Sequence, residues 1–243
     1  MPEWSAVQVF TLGSGPVKRR LAMIGVFAFA FIGAVYLLTD VDTRLKPQDV
    51  AAIRSLEIKK DCEDLTTFAK ELGCVRSLQA AIQDKIPDLR CATKDKTIEP
   101  KEFLQRGYGC CYDRARIIEK SLTFYGFEVR HFSLHDLRIP ILGYLLPADS
   151  HAATDVKTSK GWMYVDSNYP FVLVSKSNEP VTIQMLRRMD WANLQDQPVQ
   201  KKFFRKEPRI FYGLYSRHGF FYPPKVPLPD IDWSQILHNL YGG

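Results

Sequence analysis

The sequence predicts an α+β fold that follows an N-terminal membrane-spanning helix. Apolar residues repeat with helical spacing up to about residue 126, and short segments typical of strands come afterwards. An uncharged run near the N-terminus is set apart from both. Hydrophobic residues make up 46% of the 243-residue chain and charged residues 25%, as in ordinary globular proteins. The part after the uncharged run, about 200 residues, is large enough for one domain with its own core.

The apolar run covers residues 21–38 and reads LAMIGVFAFAFIGAVYLL. As a helix it reaches about 27 Å, close to the thickness of the hydrocarbon core of a bilayer. Basic residues precede the run and acidic residues follow it, namely Lys18, Arg19, Arg20, Asp40 and Asp42. By the positive-inside rule, residues 1–20 form a cytoplasmic tail, residues 21–38 form the anchor, and the remainder is periplasmic or extracellular.

Two alternatives to an uncleaved anchor are a cleaved signal peptide and a buried core helix. The run is long for the apolar part of a signal peptide, and no small-x-small cleavage motif follows it cleanly. A core helix usually carries a polar face, which this run lacks. The sequence therefore favours a single-pass protein of the inner (cell) membrane.

Behind the anchor, periodicity and breaker residues predict the remaining elements in order. Helices are predicted over residues 47–72, 75–86, 97–107 and 111–125, with Gly73, Pro87 and Gly126 as helix ends. Strands are predicted over residues 127–134, 152–156, 162–165 and 171–174. A helix over 184–194 and an irregular tail from residue 208 complete the chain. We therefore divide the exported part into a linker with a first helix (39–60), a core (61–175) and a C-terminal extension packed on it (176–243).

A cysteine, a histidine and an aspartate follow one another in contexts that favour nucleophilic catalysis. Cys111 lies in GCCYDRA, His151 lies forty residues later, and Asp166 ends the segment GWMYVD. A thiolate attacks an acyl carbon, an imidazole moves the proton, and a carboxylate orients the imidazole. A cysteine at the start of a helix gains from the positive end of the helix dipole. Gly109 lets the backbone approach a substrate carbonyl, and Asp113 suits the first turn of the helix.

These motifs together resemble the transglutaminase-like superfamily, a papain-like group that includes bacterial transglutaminase-like cysteine peptidases. The resemblance spans roughly residues 75–170 and rests on the pattern G-x-C-x-D-x-A, the following helix and strand, the histidine, and GW-x-x-VD. It implies a papain/transglutaminase-like core, with helices followed by a small antiparallel sheet. It also implies that Cys111 is the nucleophile, His151 the general base and acid, and Asp166 the orienting carboxylate. Trp162 is then a structural tryptophan near the site.

An oxyanion formed at the acyl carbon needs a hydrogen-bond donor besides the backbone N–H of Cys111. Gln105 lies six residues before Cys111, which is the separation of the oxyanion glutamine in papain-like enzymes. The resemblance thus makes Gln105 a candidate, although a polar residue on an exposed helix accounts for it equally well.

Export changes the interpretation of the five cysteines. In an oxidising compartment, two disulfides among the other four leave Cys111 as the odd thiol, and three pairings are open. The candidates are Cys62, Cys74, Cys91 and Cys110. In the cytosol, all five are expected to be free.

Other classes of function fit less well. The net charge of +6 is dispersed over the chain, which suits anionic lipid or an anionic envelope polymer and does not indicate nucleic acid. No C-x-x-C motif or phosphate-binding glycine loop occurs, so no metal or cofactor is predicted. Arylamine acetyltransferases share the triad but place a different glycine-rich motif around the cysteine. The remaining candidate histidines, none followed by a Trp-x-x-x-Asp unit, are His131, His135 and His218.

Two hypotheses of different kinds follow. In the first, the protein is a thiol enzyme that cleaves or transfers the acyl group of an amide, with a peptide, an envelope protein or a cell-wall component as substrate. In the second, it is a catalytically silent scaffold of an envelope or polysaccharide assembly. The complete triad favours the enzyme, whereas a disulfide at Cys111 would favour the scaffold.

Overall fold

The computed structural model describes residues 16–90, 99–136, 150–198, 200–215, 230–236 and 238–241. Its longer helices are α1 (Pro16–Thr39), α2 (Pro47–Arg54), α3 (Phe68–Lys85), α4 (Pro100–Arg106) and α5 (Cys111–Phe124). The strands are β1 (Glu128–His135), β2 (Ser150–Thr158), β3 (Gly161–Asp166), β4 (Arg209–Tyr212), β5 (Leu214–Tyr215) and β6 (Asp230–Ile231). Single-turn helices are α6 (Ile183–Leu186), α7 (Lys201–Phe204), α8 (Trp233–Ile236) and α9 (His238–Tyr241), with 3-10 turns at Lys59–Cys62 and Trp191–Asn193. The fold is α+β with a small antiparallel sheet behind an apolar helix, as predicted.

The apolar helix α1 and residues 40–243 are two separate compact units. Within α1, Arg19–Thr39 is long and apolar enough to cross a membrane, and its large side chains are exposed. These are properties of a membrane span and also of a signal sequence. Exposed Phe, Leu and Ile side chains along a whole helix need an apolar environment, because water does not stabilise them.

A four-stranded antiparallel sheet, in the order β3-β2-β1-β4, organises the second unit. Side chains alternate between its two faces. On one face, Val156, Met163 and Val165 pack against α3 and α5. On the other face, Phe132 and Tyr164 pack against the chain between residues 171 and 204. The sheet is thus buried on both sides, and residues near its strand ends are shielded from water.

Several predicted element boundaries are wrong. The helix α3 runs through Gly73, because Thr67 caps its start and the buried stripe of Leu72, Val75 and Leu78 continues across the glycine. The first helix ends at Arg54, far short of residue 72.

The C-terminal part also differs from its prediction. The segment 171–174, predicted to be a strand, forms isolated β-bridges instead. Its backbone groups pair in turn with β3 and with residues 180–195. The predicted helix over 184–194 is reduced to α6 and one 3-10 turn. The tail from residue 208, predicted to be irregular, contributes β4, the edge strand that pairs with β1.

A network of buried charged side chains connects α5 to neighbouring segments. Lys120, 1% exposed, forms ion pairs with Asp49 and Glu99, each at 2.7 Å. Arg116 pairs with Glu99 at 3.1 Å and lies 3.5 Å from Glu119. The network therefore ties α2 and the start of α4 to α5.

Replacing Lys120 with Met is expected to lower the free energy of unfolding by about 3 kcal/mol or more, because Asp49 is left buried without its cation. Denaturant unfolding of the full chain in neutral detergent measures this. Asp49→Asn with Lys120→Met should cost less than the sum of the single changes. The control Lys157→Met breaks an exposed pair with Glu128 and should cost less than about 1 kcal/mol. Equal losses in Lys120→Met and Lys157→Met would contradict the role of the network.

Candidate active site

The thiol of Cys111 lies at the first residue of α5, whose start is fixed by neighbouring side chains. The preceding residue, Cys110, is extended, and its backbone N–H donates to Oδ2 of Asp113 at 3.2 Å. Arg106 at the end of α4 donates to the same oxygen at 2.8 Å. Asp113 thus lies in the first turn, as predicted, and links α4 to α5. This arrangement fixes Cys111 at the first residue of the helix, where the backbone amide groups have no partner within the helix.

Gly109 is required by packing against Phe103. A Cβ atom at this position would lie 2.1 Å from Cε2 of the Phe103 ring, so no larger residue fits without displacing it. The Gly109 carbonyl accepts from Nε of Arg114 at 3.0 Å, and its N–H donates to the carbonyl of Asp88 at 3.1 Å. The structure therefore gives Gly109 a role in positioning α4 beside α5, and the approach of a substrate to its backbone stays a prediction.

His151 and Asp166 are brought together by the pairing of β2 with β3. Ala153 lies opposite Asp166 in this register, so His151, two residues earlier on the same face, lies next to the carboxylate. Nε2 of His151 is 3.1 Å from Oδ2 of Asp166, and both residues are 2% exposed. The two side chains form a buried imidazole–carboxylate pair.

Cys111 is the third member of the group. Its thiol is close enough to His151 to influence the ionisation of the imidazole, whose Nε2 faces Asp166. Burial works against the imidazolium, but Asp166 and Cys111 outweigh it and raise the pKa of His151 to about 10. Burial opposes ionisation of Asp166 too, yet His151 and the other donors lower the pKa of that carboxyl. At neutral pH the pair is therefore imidazolium and carboxylate, next to a sulfur.

Two further side chains orient Asp166, and the sequence analysis missed both. The hydroxyl of Tyr164 donates to Oδ2 at 2.8 Å from within the core. Nε2 of Gln79 in α3 donates to the backbone carbonyls of Asp166 at 2.7 Å and of Phe171 at 2.9 Å. Tyr164 was open to prediction, since alternate residues of a strand share a face. No local signal marks Gln79, which lies 87 residues from Asp166.

The remaining predicted residues lie in other surroundings. Gln105 is exposed on α4. Trp162 lies on β3 under the guanidinium of Arg130, whose Cζ is 3.8 Å from the ring centroid. His131 is buried against the ring of Tyr215 at 3.9 Å, and burial lowers its pKa to about 3. Burial likewise lowers the pKa of His135 to about 4, so both histidines are neutral at physiological pH.

The cysteines separate into bonded and free ones. Cys62 and Cys74 form a disulfide, and Cys110 is disulfide-bonded as well. Among the residues that the structure describes, Cys111 is the free thiol. Two positions discussed above, Cys91 and His218, lie outside the described residues. Within the described ranges, no group of three or more His, Cys, Asp or Glu side chains is arranged to hold a metal ion.

Comparisons with known proteins give one match. No protein-family model matches this chain, and no curated protein matches it. Among solved structures, the chain is similar to a "Putative Cysteine Protease" from Cytophaga hutchinsonii, with 14% sequence identity and a TM-score of 0.35. The match covers 54% of this chain and 46% of the other, which is less than half of that protein. At this similarity the relationship is a distant one of fold.

A second buried carboxyl, Asp155, lies on the same face of the sheet as the imidazole–carboxylate pair. It stands opposite Tyr164 in the strand register and is 2% exposed. Burial raises the pKa of Asp155 to about 7, although the Tyr212 hydroxyl and the charge of Arg130 act in the opposite direction. In the unfolded chain Asp155 ionises near pH 4, whereas in the folded protein it ionises near pH 7. The free energy of unfolding therefore falls as pH rises above about 4.

Replacing Asp155 with Asn is expected to stabilise the protein in a pH-dependent manner. A raised folded-state pKa gives a contribution that is fully present below about pH 4 and is lost as pH rises to about 7. The gain from Asp155→Asn should grow between these limits and stay constant above pH 7, on the order of a few kcal/mol. Unfolding midpoints of both proteins at pH 5 and pH 8 measure this. A gain that is the same at both pH values would contradict the assignment.

Proposed function

We propose that the protein is a membrane-anchored thiol enzyme of the transglutaminase-like type, which cleaves or transfers the acyl group of an amide. The observation that carries the proposal is the contact of the free thiol of Cys111 with His151, whose Nε2 faces Asp166. These are the order and the roles that the sequence predicts for the nucleophile, the proton carrier and the orienting carboxylate.

The reaction proceeds through an acyl-thioester. The Cys111 thiolate adds to the amide carbonyl carbon, forming a C–S bond and an oxyanion. The imidazolium of His151 gives its Nδ1 proton to the nitrogen as the C–N bond breaks, and the amine leaves. Water or an amine then attacks the thioester, His151 accepts the proton of that nucleophile, and the thiolate leaves. Asp166 keeps its charge throughout and stabilises each imidazolium form of His151.

The oxyanion is stabilised by the backbone N–H of Cys111 at the helix start, with Gln105 as a second donor. Two observations support Gln105. It precedes Arg106, whose ion pair with Asp113 holds the end of α4 beside the start of α5. Gln105 is also exposed, so its amide is available to a bound substrate.

We place this chemistry outside the cytoplasm. Residues 1–20 are the cytoplasmic tail, the helix anchors the protein in the inner membrane, and the catalytic unit is periplasmic or extracellular. Basic residues before the span and the disulfide between Cys62 and Cys74 support this orientation. The substrate class is a peptide or other amide of an envelope protein or cell-wall component.

Alkylation of the full chain in neutral detergent by iodoacetamide tests the thiol. We expect fast labelling of Cys111 at pH 6 to 7, because the adjacent His151 activates the sulfur as a nucleophile. His151→Ala and Asp166→Asn should slow this labelling by at least about tenfold, since they remove the imidazole or its carboxylate partner. Mass spectrometry after digestion locates the adduct.

Cys111→Ala is the matched control and should remove the adduct. Labelling of Cys111 at the rate of an ordinary exposed thiol, with no dependence on His151, would contradict the enzyme and favour the scaffold.

Gln105→Ala separates oxyanion stabilisation from thiol reactivity. Acylation of Cys111 by a p-nitrophenyl ester passes through an oxyanion, whereas alkylation by iodoacetamide does not. We expect the variant to slow release of nitrophenolate by about 100-fold and to leave alkylation unchanged. Gln48→Ala, which changes an exposed glutamine of α2 outside the predicted site, is the control. An unchanged acylation rate would exclude Gln105 as a donor.

A further inference from the structure

A cavity away from the triad residues is lined by positively charged side chains. It has a volume of about 320 Å³ and lies among β4, the end of α6 and α9. Its polar and charged lining consists of Gln184, Arg187, Arg188, Arg209, His238 and Asn239, and the rest is formed by Ile210, Phe211 and Tyr212 of β4. No Asp or Glu is among these lining residues.

The floor of the cavity is held in place by hydrogen bonds around Tyr212. The backbone N–H of Tyr212 donates to Oδ1 of Asn239 at 2.9 Å, and Nδ2 of Asn239 donates to the Tyr212 carbonyl at 3.0 Å. Nε2 of Gln184 donates to the Tyr212 hydroxyl at 2.6 Å. The ring of His238 lies edge-on to that of Tyr212, with centroids 6.1 Å apart. These contacts join three segments that are far apart in sequence, so the cavity is part of the packed fold.

The three arginines bring charge that the described part of the chain does not neutralise. Arg187 donates one Nη2 hydrogen bond to the carbonyl of Pro208, a neutral acceptor. Arg188 and Arg209 are exposed, and no ion pair joins either to a carboxylate of the described residues. By contrast, Lys157 and Lys160 on the surface of this unit each have a carboxylate partner. Guanidinium groups gathered without a counter-charge around a concave, acid-free surface favour an anionic ligand.

We infer that this cavity binds a phosphate group, supplied by a soluble phosphate compound or by a phospholipid headgroup. A phosphate monoester carries close to two negative charges and three acceptor oxygens, so it satisfies several guanidinium forks at once. A single carboxylate satisfies one fork and leaves the other cations unpaired. The aromatic and aliphatic side chains of β4 beside the arginines provide an apolar contact for the rest of the ligand. The inference does not depend on the thiol chemistry, and binding alone tests it.

The test is calorimetric titration of the full chain in neutral detergent at constant ionic strength and pH. The probes are inorganic phosphate, glycerol phosphate and dioctanoyl phosphatidic acid, with dioctanoyl phosphatidylcholine as the zwitterionic lipid control. We expect saturable binding of at least one phosphate probe, and a loss of affinity of at least about tenfold in Arg188→Gln with Arg209→Gln. Binding of the soluble probes identifies a soluble ligand, and binding of phosphatidic acid alone identifies a headgroup.

Two variants make the result specific to the cavity. Arg205→Gln removes one exposed arginine of the same segment that lies over Trp191 and does not line the cavity, so affinity should change less than about twofold. Arg188→Lys with Arg209→Lys keeps the charge without the forks and should bind more weakly than wild type but more tightly than the glutamine pair. Absence of saturable binding in wild type, or an equal loss in Arg205→Gln, would overturn the inference.

Discussion

The buried pair of His151 and Asp166 is the interaction on which the candidate site depends. A carboxylate removed from water is tolerated only when donors surround it, and this one accepts four hydrogen bonds. Besides His151 and Tyr164, the backbone N–H groups of Asn168 and Tyr169 donate to Oδ1, at 2.8 and 3.1 Å. The pair therefore requires both the register of β2 on β3 and the turn that follows β3. A slip of one residue would move His151 to the face that packs on α5 and leave the carboxylate without its cation.

Small residues bring the thiol to this pair. Ala115, one turn after Cys111 on α5, and Ala152, next to His151 on β2, are buried in one apolar cluster with Cys111. Larger side chains at these two positions would separate the helix from the strand by more than a hydrogen bond permits. The start of α5 is held by a second set of contacts, between α4 and α5, through Gly109 and Asp113. Close packing and polar anchoring thus act on the same few atoms around the sulfur.

The buried ion pairs of α5 and the buried carboxyl of Asp155 affect stability in different ways. Lys120 and Arg116 are paired with carboxylates inside the fold, and removing one partner is costly because the other stays buried. Asp155 lies on the face of the sheet opposite α5, and its polar contact is the hydroxyl of Tyr212 at 3.4 Å. Since Tyr212 also forms the floor of the arginine-lined cavity, a carboxyl with reduced charge lies beneath that cavity. A fully ionised group there would oppose an anionic ligand, so the burial that costs stability also favours the electrostatics of the cavity.

Local signals and long-range packing explain which parts were open to prediction from sequence. The start of α5, the strands that carry His151 and Asp166, and the chain order of the three side chains follow from periodicity and from motifs of a few residues. Gly73 was misinterpreted because a breaker residue has little effect when the residues on both sides of it bury one continuous stripe. The edge strand β4 and the donor Gln79 depend on partners more than 70 residues away, and a single sequence contains no period that reports such contacts. The same holds for the cavity, whose arginines belong to separate segments and become neighbours only when β4 pairs with β1.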